Sequence, residues 1–193
     1  MKHTGLGVSS ALVFALLPFF SLNHFFYGDI NGKFFLLTFF SAVAVLVFAS
    51  TLFQKKYTFS LKGRYALFAL GALLLVQYVS TVFGVFPERS LWSDIFWSSG
   101  VLFITHLALL AIVLGELLNA KDWSLVRKWV AVSSAVFALL TIVGQYGLGV
   151  TGTFLWANLE GSGLTLGNET YAGAYLLIAF IFGFIEYFRT EKK

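Results

Sequence analysis

In the stretch GVFPERSLWSDIFWSSG, residues 84–100, a single arginine stands among apolar and aromatic neighbours, with Glu88, Ser90 and Asp94 close by. A guanidinium makes paired hydrogen bonds to phosphate oxygens, so Arg89 has the chemistry to hold a phosphorylated ligand. The competing use for the same group is a local ion pair with Glu88 or Asp94. A second stretch, GLTLGNETYAGAYL at 163–176, joins a loop without Lys or Arg to an apolar run. Gly161, Gly163 and Gly167 permit backbone conformations closed to other residues. Asn168 is placed to cap the helix that follows, whose positive end is an anion-favouring position. Gln77, His106 and Gln145 lie inside apolar windows, where polar side chains serve either function or helix-to-helix hydrogen bonding. At 1.5 Å rise per residue, His106 sits roughly 10 Å below the end of its window, with Gln77 at a similar depth. No carboxylate stands at that depth, which favours a structural role for His106 over proton transfer.

The elements that must position these residues follow from composition. The chain has 193 residues, of which 59% are hydrophobic, 19% aromatic and 11% charged. Soluble domains carry roughly 25% charged residues, so a water-soluble globule is excluded. Several runs of about 20 residues lack any charge, the length of a helix that crosses a bilayer. Helices are required there, because an open sheet would leave backbone groups unpaired in lipid. Six spans are expected, at about 6–26, 34–53, 65–84, 99–118, 129–149 and 171–188. The expected fold class is all-α, a polytopic transmembrane helical bundle forming a single domain over 1–193. The amino-terminal apolar stretch is too long for a signal peptide and lacks a cleavage site, so it reads as an uncleaved first span.

Charge sets the expected orientation. Lys2, Lys55, Lys56, Lys62, Arg64, Lys121, Arg127, Lys128, Arg189, Lys192 and Lys193 fall on one side of the six spans, and only Lys33 and Arg89 on the other. Positive charge is retained in the cytoplasm, which puts both termini inside and the two candidate loops outside. Clustering between spans also marks these cations as topological, not as a nucleic-acid footprint. Those nearest the membrane also attract anionic lipid. Trp92 and Trp97 suit anchoring at the headgroup level. The chain has no cysteine, so disulfides and thiolate chemistry are excluded. It contains no zinc motif, phosphate loop, dinucleotide fingerprint or serine elbow, so no cofactor and no metal are expected. No catalytic residue is assigned. On the outer side of a bacterial inner membrane there is no ATP, so a reaction there needs a donor already activated.

Both outward segments resemble one known family. FGVFPERSLWSDIFWSSGVLFITHLALL is similar to a region of bacterial O-antigen ligases and polymerases in which a proline, an Arg-Ser pair and a Trp precede a Gly and a new helix. LTLGNETYAGAYLL is similar to that family's TLGN segment at the start of a span. The resemblance implies an integral-membrane glycosyltransferase of lipopolysaccharide and surface-polysaccharide assembly. Such enzymes move a glycan from undecaprenyl pyrophosphate to an acceptor on the periplasmic face. It assigns Arg89 as the candidate for the donor pyrophosphate. Implied partners are membrane lipid and the lipid-linked donor. Where the family carries further arginines, this chain has Trp97 and the stretch Leu159-Glu160-Gly161-Ser162. The resemblance covers the front half of the family, so the chain is expected to be an amino-terminal or truncated form completed by a carboxy-terminal half or partner subunit. The alternative expectation is a non-enzymatic six-span transporter, channel or assembly subunit.

Overall fold

The computed structural model describes residues 4–20, 28–54, 64–93, 100–145 and 169–190. All of the regular structure among the described residues is helical: α1 (Gly5–Leu16), α2 (Gly28–Phe53), α3 (Arg64–Phe83), α4 (Pro87–Trp92), α5 (Val101–Leu117), α6 (Ala120–Gln145) and α7 (Glu169–Thr190). Three segments are long and apolar enough to cross a membrane: Gly32–Phe53, Ala120–Ile142 and Ala172–Arg189. Gly5–Phe19, Leu67–Phe83 and Val101–Leu117 are shorter apolar helices. This is the make-up of a helical membrane protein.

Packing carries the same signature. Many of the buried residues are small, among them Ser10, Ala11, Ala15, Ser41, Ala44, Ala108 and Ala179, while Phe39, Leu46, Phe68, Leu75, Phe83 and Phe180 stand exposed. A water-soluble protein rarely leaves so much contiguous apolar surface uncovered. In lipid the arrangement costs nothing, since tails solvate Phe and Leu, and small residues let helix backbones approach.

The described helices form two compact units. In one, α6 packs along both α1 and α7. Its apolar contacts centre on Phe137, fully buried, with Phe19, Ala172 and Tyr175 against it. Ser133 donates to the carbonyl of Val130, so the 2.9 Å bond between Ser133 Oγ and Tyr175 Oη has Tyr175 as donor. The other unit holds α3, α4, α5 and α2 from Phe34 onward. There Ser41 of α2 donates to the carbonyl of His106 at 2.8 Å, and Phe34 packs on Phe103 at 4.8 Å.

Three local features depart from the apolar-window reading. α1 ends at Leu16 and passes into a 3-10 turn at Leu17–Phe19, well short of residue 26. Pro18 causes this, because it has no N–H to donate and its ring crowds the preceding turn. α6 starts at Ala120, nine residues before the expected boundary at 129, because its first turns are polar but well capped. α3 stops at Phe83, and the stretch between the third and fourth windows holds a separate helix, α4, which Pro87 opens, the position where its missing N–H is harmless.

Candidate anion site on the α4 segment

The sequence PERSLW folds into one and a half turns. Ser90 N–H donates to Phe86 O at 3.0 Å and Ser93 N–H to Arg89 O at 2.7 Å. This short helix puts Glu88, Arg89 and Ser90 together on an exposed segment. With Val85, Phe86 and Trp92, Glu88 and Arg89 line an open hollow of about 690 Å³. The hollow is amphiphilic, with one cation and one carboxylate beside apolar and aromatic walls. Val85, Phe86 and Trp92 are 86%, 68% and 65% exposed, an exposure that suits contact with lipid.

Both neighbouring helices hold α4. Its last residues lie directly on Gly100, which precedes α5: a Cβ built there would fall 2.6 Å from Trp92 C and 2.7 Å from Ser93 N. Ser93, the residue that leaves α4, has φ 70°, the one positive φ at a described non-glycine residue. Asp94 and Trp97 lie outside the described residues, as do Gly161, Gly163, Gly167 and Asn168 of the second candidate stretch. The structure thus brings together one part of the expected constellation, Glu88-Arg89-Ser90.

The polar residues expected within the membrane divide. His106, partly buried on α5, has Nδ1 2.8 Å from the Leu102 carbonyl, a contact that needs the proton on Nδ1. Gln77 is partly buried on α3, and its carbonyl accepts from Thr81 Oγ1 at 2.8 Å. Its Oε1 is buried and has no hydrogen-bond partner among the described residues. On the same two helices Tyr78 donates to Thr105 Oγ1 at 2.9 Å, since the Thr105 proton goes to Val101 O. Gln145 belongs to the last turn of α6, with its side chain outside the described residues.

Two buried polar clusters in the α1–α6–α7 unit were not expected. Asp122, fully buried, accepts from Thr4 N at 3.0 Å and Thr4 Oγ1 at 2.9 Å, and Thr4 Oγ1 in turn accepts from Gly7 N. Asp122 Oδ2 also accepts from Asn119 N at 3.3 Å, while Asn119 Oδ1 accepts from Asp122 N at 3.1 Å, a reciprocal capping box at the start of α6. Farther along, Arg127 Nε donates to Glu186 Oε1 of α7 at 2.6 Å, and Ser124 Oγ to Glu186 Oε2 at 2.7 Å. Arg127 Nη2 completes the ion pair without hydrogen-bonding geometry. The capping box was readable in the spacing Asn119-x-x-Asp122. The Arg127–Glu186 pair was hidden because windows starting at 129 left Arg127 in a loop.

No group of three His, Asp or Glu side chains that could hold a metal occurs among the described residues. The α4 segment presents one guanidinium, that of Arg89, on an exposed stretch, and its own sequence PERSLW contains no histidine that could make the Ser90 hydroxyl a nucleophile. No protein-family model, curated protein or solved structure matches this chain.

Proposed function

We propose that the chain is an O-antigen-ligase-like component of surface-polysaccharide assembly in the bacterial inner membrane. In this reading Arg89 holds the pyrophosphate of an undecaprenyl-linked glycan on the periplasmic side. The supporting observation is the placement of Arg89: exposed on a short helix that packs on two apolar helices, beside a hollow with apolar walls. A lipid-linked pyrophosphate presents that combination, a dianionic head on a hydrocarbon chain. The residue types and order of the two outward segments, FGVFPERSLW and LTLGNETYAGAYLL, support the same family.

The chemistry asked of the site is limited. An acceptor hydroxyl forms a bond to the anomeric carbon of the donor glycan, the bond from that carbon to the pyrophosphate oxygen breaks, and the hydroxyl proton passes to solvent or a base. Negative charge grows on the departing pyrophosphate. Arg89 would stabilise it, and since the donor is already activated, no nucleotide is needed on that side of the membrane.

The test is glycan transfer in a ligase-deficient strain supplied with this chain and with the carboxy-terminal half of a ligase of that family. Charge-assisted hydrogen bonds contribute about 1.5–3 kcal/mol, so Arg89→Ala should lower transfer about 10- to 100-fold, with Arg89→Lys retaining part of it. Transfer unchanged in Arg89→Ala at equal membrane abundance would remove the phosphate role.

A further inference from the structure

We propose that Gly100 and Ser93 form the seat of α4 and act as positioning residues for Arg89. Gly100 stands where the end of α4 is pressed against the start of α5. A methyl group there would overlap the carbonyl oxygen of Leu91 and approach Trp92 C at 2.6 Å and Ser93 N at 2.7 Å. All three are backbone atoms, which cannot swing aside as the tip of a side chain can. Any side chain at 100 therefore displaces the helix end as a body.

Ser93 makes the complementary contribution. Its N–H caps α4 by donating to the carbonyl of Arg89 itself, and its φ of 70° turns the chain away at that point. A β-carbon makes this conformation unfavourable, so it persists only where surrounding packing enforces it. The enforced turn and the missing side chain at 100 lie in direct contact. Together they fix the backbone of residue 89, whose carbonyl is held from one end of α4 while Pro87 holds φ at the other. Gly115, inside α5, meets no atom of the described residues within 4 Å of a built Cβ, so glycines along this stretch do not all serve this purpose.

The significance for phosphate binding rests on the reading given above for Arg89. A guanidinium that must meet two oxygens at once tolerates little displacement, and misplacement by about 1 Å can cost on the order of 100-fold.

The experiment uses the full chain in lipid nanodiscs and exploits its lack of cysteine. A nitroxide pair at Ser90→Cys and Leu109→Cys reports the placement of α4 on α5 by pulsed electron-spin distance measurement. Binding of inorganic pyrophosphate is measured separately on unlabelled protein. Gly100→Ala should shift or broaden the distance distribution and weaken pyrophosphate about tenfold or more. Gly115→Ala should change neither. Ser93→Gly adds no atoms and relieves the enforced φ, so it folds readily and should broaden the distribution without shifting its mean. An unchanged distribution in both Gly100→Ala and Ser93→Gly overturns the seat. A shifted distribution with parental pyrophosphate affinity overturns the positioning role. If the parent and Arg89→Ala bind pyrophosphate alike, the phosphate reading fails, while the distance data still decide whether Gly100 and Ser93 seat α4.

Discussion

Asp122 shows how one buried carboxylate can tie two helix starts together. Its carboxylate serves the start of α6 through Asn119 and the start of α1 through Thr4, a contact spanning 118 residues of chain. Asp122 is fully buried, whereas Thr4 is exposed and Asn119 half-buried, so water takes over part of the bonding when the carboxylate is removed. Hydrogen bonds to a charged group contribute about 1.5–3 kcal/mol where solvent is excluded and less where it enters, so Asp122→Ala should destabilise the fold by roughly 1–3 kcal/mol. Asp122→Asn keeps one acceptor oxygen and should fall between. Reversible unfolding in mixed detergent micelles reads both, and parental stability in Asp122→Ala would show the contact to be idle. Gly7 faces the same carboxylate, with no room for a Cβ between its backbone and Asp122 Cγ. The local half of this arrangement was legible, because Asn-x-x-Asp is a helix-start pattern. The distant half was not, since nothing about Thr4 announces a partner on α6.

Between helices, polar pairs choose partners that apolar surfaces leave open. α6 and α7 meet across small residues and aromatic rings that would fit in several registers, yet Arg127, Ser124 and Glu186 fit in one. Both members of the ion pair are 11% exposed in their side chains. Breaking a buried pair from one side leaves a charge without compensation, which costs about 3–5 kcal/mol. Arg127→Ala and Glu186→Ala should each lower the yield of folded protein sharply, and the double variant should cost less than the two added together. The exchanged pair Arg127→Glu with Glu186→Arg should recover part of the loss. A double-mutant cycle on unfolding free energy checks this, and strict additivity would show that the charges do not couple. Apolar windows located the bodies of the helices well, because the run of hydrophobic residues is what lipid requires. They failed at the ends: Pro18 shortens α1, a capped polar turn lengthens α6, and PERSLW makes a helix too short for any periodicity to register.

For the molecule as a whole, the decisive quantity is the side of the membrane on which α4 emerges. The candidate site has meaning only where lipid-linked donors are displayed, and the distribution of basic residues is what assigns that side. With six crossings, Lys2, Lys55, Lys56, Lys62, Arg64, Lys121, Arg127, Lys128, Arg189, Lys192 and Lys193 would share one side, leaving Lys33 and Arg89 for the other. Retention of Lys and Arg in the cytoplasm then predicts an outward α4 and an inward carboxyl end. Arg127 qualifies the count, because Glu186 engages it in the packed α6–α7 pair, but the remaining ten cations lead to the same orientation. Alkaline phosphatase, which matures only outside the cytoplasm, should be active when fused after Ser90 or Thr165 and inactive after Gln54 or Lys193. A fluorescent protein that matures in the cytoplasm should give the opposite pattern. Phosphatase activity after Gln54 with none after Ser90 would invert the chain, putting Arg89 on the nucleotide side of the membrane and ending its candidacy for a periplasmic pyrophosphate.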